Sequence, residues 1–312
     1  MKRIKMSQFL ITTLFILSGV FGFTSCSRTE KPTPVVNLAI WPNYISKETI
    51  QEFEKTTGSH VQMTNFSSNE ELLAKLQGGA TGYDVILPAD YMVFVLQKLG
   101  LVEPLDYSQI PNSQLLDPKF LKRYYDLKNT VSLPLDWGTT GFAVNRSLYK
   151  GSLRGWKDLL TQKDLDGKFS LLDDMREVIG AALKALGYSL NSKNPDELQK
   201  AKELLLGARK RVKAFTSEPI MALVNKDVAV AHAFMTDALL ARQRGGESID
   251  FVLPSEGGVL WVDNLCIPKG AQHIKEAHAL INYLLEPKVN ADRAMGIFVA
   301  PLSLRALSLL PQ

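Results

Sequence analysis

The chain has 312 residues, with 36 Lys/Arg against 32 Asp/Glu, four His and two Cys. Three of the basic residues, Lys2, Arg3 and Lys5, precede an apolar run from Phe9 to Phe23. Without that leader the balance is 33 against 32, too even for the concentrated basic stripe of a nucleic-acid-binding surface. Two cysteines exclude a disulfide framework, and the roughly 285 remaining residues exceed the usual single core, so two lobes are expected.

The leader reads as an export signal: a basic start, then about fifteen mostly apolar residues where a membrane span needs ~20, then the small residues Thr24 and Ser25 before Cys26. Its end resembles a bacterial lipoprotein signal, which implies that Cys26 becomes the lipid-bearing first residue of the mature chain. Phe23 stands where Leu is usual in such signals. Residues 26–34 are polar and Pro-containing, as a tether would be.

From Val35 onward strand-like runs alternate with helical patterns, predicting an α/β architecture with largely parallel sheets. Val36 to Ile40 reads as a buried strand followed by the loop Trp41-Pro42-Asn43-Tyr44, and Lys47 to Thr56 as a helix stopped near Gly58. Asn69 is a good N-cap for a helix over Glu70 to Gln77, with Gly78 as the stop. Tyr83 to Pro88 predicts another strand and Tyr91 to Leu99 another helix. Val131 to Leu135 and Gly141 to Asn145 read as short strands flanking Asp136-Trp137-Gly138-Thr139-Thr140, where the chain would cross between lobes. Asn194-Pro195 is a cap and first-turn Pro for a helix through Leu206, and Ile274 to Leu285 is a helix stopped before Pro287. Leu260 to Pro268 is the candidate return crossing. The lobes would then be discontinuous, residues 35–137 with 264–300 and residues 138–263 with 301–312, joined by extended strands able to hinge.

The chemistry-bearing residues point to binding. Phosphate loops and nucleophile elbows are absent, and Gly78-Gly79-Ala80-Thr81-Gly82 follows a helix instead of opening one. His60, His232, His273 and His278 lack metal-ligand spacing and read as surface or satisfied residues. The basic run Arg209-Lys210-Arg211-Val212-Lys213 reads as a helix C-terminus complemented by cations. No catalytic group, metal or cofactor is expected. By contrast, Trp261 and Asp263 lie two residues apart in a strand-like stretch and project from one face. An aromatic face beside a carboxylate suits an organic cation. Trp41, Tyr44 and Tyr91 follow the carboxyl ends of strands, where open α/β sheets bind ligands. Asp174 and Glu177 have the form of a capping box, yet two carboxylates at one helix end can also face a cleft.

The order of these motifs resembles the periplasmic spermidine/putrescine-binding proteins of ABC importers. The resemblance runs from about Val36 to Glu286 through Ile40-Trp41-Pro42-Asn43-Tyr44, Tyr83-Asp84-Val85-Ile86-Leu87-Pro88, Trp137-Gly138-Thr139-Thr140, Asp173-Asp174-Met175-Arg176-Glu177, Ala241-Arg242-Gln243, Glu256-Gly257-Gly258, Trp261-Val262-Asp263 and Leu280-Ile281-Asn282-Tyr283-Leu284-Leu285. It implies a two-lobed periplasmic-binding-protein fold, each lobe a mostly parallel sheet flanked by helices, closing on a polyamine in the interlobe cleft. It implies aromatic roles for Trp41, Tyr44, Tyr91 and Trp261, carboxylate roles for Asp174, Glu177 and Asp263, and Phe234 at a place where Trp is usual. Ala89 and Pro42 replace family hydroxyls, and the segment from Gly296 to Pro301 diverges, with Phe298 at the place of a family Tyr. The implied partners are a polyamine and an ABC permease, with the protein a monomer at the periplasmic or outer cell surface, tethered to the membrane by its N-terminal lipid. Another small solute on the same fold (iron chelate, thiamine or an anion), a glycosidase using the three acids, or a lipoprotein that has lost transport are the alternatives.

Overall fold

A computed structural model describes residues 33–79 and 82–311. The leader, Cys26 and all of the tether except Thr33 and Pro34 lie outside the described residues. Strand β1 (Val35–Ile40) is central in a parallel three-stranded sheet, between β2 (His60–Asn65) and β3 (Val85–Ile86). Helix α1 (Lys47–Thr57) starts where Ser46 Oγ accepts from Thr49 N at 3.1 Å, and it stops at Gly58, whose φ of 70° suits a residue without a Cβ. Helix α2 (Asn69–Gln77) is capped by Ser68, one residue earlier than expected. Asn69 is drawn off because its buried Oδ1 accepts from Ala89 N at 3.0 Å, tying α2 to the start of α3 (Asp90–Lys98). Three short 3-10 turns between Tyr107 and Phe120 then lead toward β4 (Leu133–Asn145).

β4 corrects the expectation of two strands broken by a loop. It runs unbroken for 13 residues because β9 pairs along its first half and strands of the second lobe pair along the rest. The chain continues through α4 (Trp156–Thr161), β5 (Phe169–Leu172), α5 (Met175–Ala185), α6 (Pro195–Arg209), β6 (Ala214–Thr216), α7 (Pro219–Val224), β7 (Val230–Phe234), α8 (Met235–Gly245), β8 (Ile249–Val252) and β9 (Val259–Leu265). Glu256 caps α4 from a distance, accepting from Trp156 N and Lys157 N at 3.2 and 3.1 Å. α9 (Ile274–Leu284) is followed by α10 (Pro287–Ile297), β10 (Ala300–Pro301) and α11 (Leu304–Leu307). Pro287 thus opens a new helix from its first turn, where a missing N–H does no harm.

The second sheet is mixed. β5 pairs in parallel with β6 and β7, while every pairing of β4, with β7, β8, β9 and β10, is antiparallel. Both sheets are covered on two faces. Val36, Leu38 and Ile40 pack toward α1 and α9, and Ala39, on the other side of β1, packs with Leu72 and Met92. Phe142 and Val144 pack with Trp156 and Phe169, while Ala143 faces Leu223 and Ala241. β4 therefore begins in one core, at Leu133 and Leu135, and ends in the other. Residues 301–312 had been expected in the second lobe. Leu302, however, is buried in the first core, and Ser303 bridges Leu116, since β10 pairs with the first-lobe end of β4.

Asp84 anchors the first lobe. Its carboxylate accepts from Asn37 N and Nδ2, Gln272 N, His273 N and His273 Nδ1, all between 2.8 and 2.9 Å, joining β1 to the N-terminus of α9. Burial alone would raise its pKa, but these donors together bring it below the usual carboxylate value. Its contribution is therefore present above the unfolded pKa and is lost as pH falls through the lowered one. Asp84→Ala should cost about 3 kcal/mol by stranding several buried donors, read as a lower urea midpoint at unchanged slope. A loss below about 0.5 kcal/mol would show that water replaces the carboxylate.

Candidate functional site

Directly opposed residues of antiparallel strands share a face. Asp136 opposes Asp263, Gly138 opposes Trp261, and Thr140 opposes both Val259 and Phe234. One face of the β4–β9 ribbon thus brings together Trp261, Asp263 and Phe234. Trp261, 7% exposed, can lie flat there because residue 138 has no side chain: a Cβ on Gly138 would meet the indole at 2.4 Å. Phe234 stands edge-on to that indole, with centroids 5.9 Å apart at 87°. The indole Nε1 is buried without a hydrogen-bond partner.

Tyr44 arrives from the loop after β1 and donates its hydroxyl to Asp263 Oδ2 at 2.5 Å. Asp263 is 5% exposed. Burial pushes its pKa up to about 8; the Tyr44 hydrogen bond works against that rise, and neighbouring Asp136 adds to it. The Tyr44 hydroxyl is itself held well above its usual value by burial and by Asp263.

A second group sits at the start of α5. Asp174 Oδ1 accepts from Arg176 N at 2.8 Å and Glu177 N at 3.1 Å, so it is the N-cap. The expected capping box is only half formed. Glu177 turns away from the Asp174 backbone, its Oε2 is buried without a partner, and burial with the Asp174 charge raises its pKa to about 8. The Arg176 guanidinium lies over the Tyr91 ring, 3.8 Å from the centroid, and Tyr91 donates its hydroxyl to Glu70 at 3.1 Å. Tyr91, Arg176, Asp174 and Glu177 are thereby gathered across α3 and α5. Trp41 packs on Phe66 at 4.4 Å, and its Nε1 also lacks a partner.

Asp90 links the two groups, because its charge contributes to the raised pKa of both Asp263 and Glu177. It accepts from Tyr91 N at 2.8 Å and from the Tyr124 hydroxyl at 3.1 Å, and burial raises its own pKa. The sequence reading missed Asp90, although an acid immediately before Tyr91 at the end of a strand was a usable signal. It also missed Arg293, which donates to Asp136 at 2.7 and 3.1 Å and to the Tyr44 carbonyl at 3.0 Å. A single Arg in the last helices carries no such signal.

The remaining candidates stay apart from this face. Arg211 bonds the carbonyls of Leu160 and Gln162 and pairs with Asp166, so it closes the end of α4 and not that of its own helix. His232 corrects the expectation of a surface or satisfied histidine: it is fully buried, neither nitrogen is bonded, and burial lowers its pKa to about 3. Among the described residues no group of three or more His, Cys, Asp or Glu is arranged to hold a metal ion, and Cys266 is a buried free thiol.

Two expectations follow. With Asp263 and Glu177 both raised, the folded protein binds more protons than the unfolded chain between roughly pH 4 and 8, so their contribution to stability declines as pH rises through that window. The thermal midpoint of the isolated protein should fall from pH 5 to 8, and Asp263→Asn should flatten the fall; a wild-type midpoint that climbs across this interval contradicts the assignment. Gly138→Ala should displace the Trp261 indole and cost about 1 to 3 kcal/mol, with a shifted tryptophan emission. Unchanged emission would mean the indole does not lie over residue 138.

Comparison with known proteins sets this geometry in a family. The sequence pattern of the bacterial extracellular solute-binding proteins matches residues 48–308. The chain is 35% identical over 317 residues to spermidine/putrescine-binding periplasmic protein 1 of Haemophilus influenzae, covering 97% of this chain and 87% of that one. It is 36% identical over 273 residues to the spermidine/putrescine-binding periplasmic protein of Escherichia coli, covering 86% and 78%. The crystal structure of the TpPotD lipoprotein of Treponema pallidum superposes with a TM-score of 0.81 at 33% identity, covering 89% of each chain. The two-lobed α/β architecture is that of the periplasmic binding proteins, and the chain belongs to the bacterial extracellular solute-binding protein family.

Proposed function

We propose that this protein captures a linear polyamine such as putrescine or spermidine outside the cytoplasm and delivers it to an ABC transporter permease. The observation that carries the reading is the pair of buried carboxyls, Asp263 on the face that carries Trp261 and Phe234 and Glu177 at the start of α5, each raised by burial to about 8. Ionising either group in that setting is unfavourable until a cation arrives to pair with it. A polyamine supplies ammonium groups for the carboxylates and methylenes for the faces of Trp261 and Phe234. Each good ring contact adds ~0.5 to 2 kcal/mol. Asp174 and Asp90 add negative potential, while Tyr44, Tyr91 and Trp41 complete the aromatic walls. An anion would face several acids at once, which disfavours that alternative.

In this reading β4 and β9 serve as the crossing strands about which the lobes close, and closure follows only if the ligand binds the closed form better. Binding, not catalysis, is the role of the acids. Cys26 carries a lipid that keeps the monomeric protein at the membrane surface near its permease, with residues 27–34 as the tether.

Calorimetric titration of the mature protein with putrescine, spermidine, spermine, cadaverine and thiamine tests this reading. Heat and a raised thermal midpoint are expected with at least one polyamine, and neither effect with any polyamine would defeat it. Asp263→Asn should weaken the favoured ligand by ~2 to 5 kcal/mol, and a change within ~0.5 kcal/mol would place Asp263 outside the site.

A further inference from the structure

The Arg176 guanidinium, 3.8 Å from the centroid of the Tyr91 ring, reaches from one lobe to the other. Tyr91 packs at the edge of the first-lobe cluster that holds Leu72, Met92 and Val93. Arg176 stands in the first turn of α5, whose buried residues Ala181, Ala182 and Leu183 belong to the second-lobe core. Each side of the contact is fixed within its own lobe. Tyr91 donates its hydroxyl to Glu70 at 3.1 Å, which orients the ring. Asp174 accepts from Arg176 N at 2.8 Å, which sets the start of α5. That cap uses the Arg176 backbone alone and leaves the side chain free to cross.

Charge makes the same crossing. The guanidinium acts on Asp90 and Tyr124 of the first lobe and on Glu177 of the second. The acids of the two lobes also act across the gap, Asp90 on Glu177 and Asp174 on Tyr91, each making ionisation harder. At Glu177 the Arg176 charge outweighs that of Asp90. Closing the lobes therefore gathers acids around a cation that the protein itself supplies, and adds an attraction between guanidinium and ring that opening removes. Arg176 is exposed, so water competes for it and the attraction is modest. A planar guanidinium can lie on a ring while keeping its charge, which an ammonium does less well.

We propose that Arg176 is an interlobe clasp: seated over Tyr91, its guanidinium favours the closed arrangement of the lobes whatever the cleft holds. This rests on the lobe closure of the reading above and not on the identity of the ligand. Arg176 is a positioning residue, acting through Tyr91 on the lobes. The clasp and a ligand then share the work of closing, and the clasp reduces the preference for the closed form that a ligand must supply.

The test is single-molecule energy transfer on the mature protein, with dyes attached through unnatural amino acids at the exposed positions Lys55 on α1 and Lys202 on α6. It reads the closed-to-open ratio without added ligand for the wild type, Arg176→Ala, Arg176→Lys, Tyr91→Leu and the double variant Arg176→Ala/Tyr91→Leu, each checked for folding by circular dichroism. The wild type should visit the closed distance, and Arg176→Ala and Tyr91→Leu should each lower the ratio about fivefold. The double variant should fall no further than the lower single, since both remove one contact, and Arg176→Lys should lie between wild type and Arg176→Ala. Ratios that agree within about 1.5-fold across the set, a higher ratio in Arg176→Ala, or single effects that add in full would overturn the clasp. So would a wild type that never closes. Putrescine, spermidine, spermine and cadaverine are then added to the same proteins: no shift toward the closed distance with any of them would strike the polyamine reading, while the ratios without ligand still decide the clasp.

Discussion

The hydroxyl of Tyr44 reaching Asp263 at 2.5 Å is the contact on which the rest of the site depends. It joins a loop of the first lobe to a strand that runs between the lobes, and it supplies one of the few partners of a carboxyl that burial has taken out of water. A carboxyl in that position has two stable conditions: protonated, or ionised beside a cation. Everything packed around it bears on which condition holds. Asp136 and Asp90 make ionisation harder, Arg293 and Tyr44 make it easier, and the faces of Trp261 and Phe234 offer a surface an ammonium ion can share.

The fold delivers these groups by strand geometry. β4 and β9 pair from Leu133 with Leu265 to Thr140 with Val259, and this ribbon both connects the two cores and forms the floor of the site. Because side chains alternate, every second residue faces the site and the intervening ones stay on the far side. Gly138 has a specific place in that alternation: a side chain there would collide with the indole above it. On the second lobe, Asp174 satisfies the first amides of α5, while Glu177 keeps its Oε2 buried without a partner and its pKa raised. One acid caps the helix and the other stays buried with a raised pKa, a division that the sequence shows only as a pair.

Much of this was legible in the sequence because it rests on local rules. The same-face relation of Trp261 and Asp263 follows from strand alternation, and Asp174 as N-cap follows from its place before an amphipathic run. The helices beginning at Lys47, Pro195 and Ile274 appear with their expected starts. The failures involve distant partners. Asn69 has the right chemistry for a cap, but Ala89 N claims its side chain, and Ser68 takes over. The loop expected across Asp136 to Thr140 is a strand because β9, more than a hundred residues away, pairs with it. Leu302 belongs to the first core because β10 pairs near Trp137, a register that local pattern does not encode. Arg293 was invisible for the same reason: its meaning comes wholly from Asp136 and Tyr44.

In the proposed function a ligand ammonium takes over from the proton at the buried carboxyls. Proton release on binding measures it most directly, from the heat of putrescine or spermidine titration at pH 7 in buffers of different ionisation enthalpy. With Asp263 and Glu177 both raised to about 8, binding should release roughly one to two protons. Binding that releases none would mean these carboxyls are already ionised or lie away from the ligand, and would contradict the account.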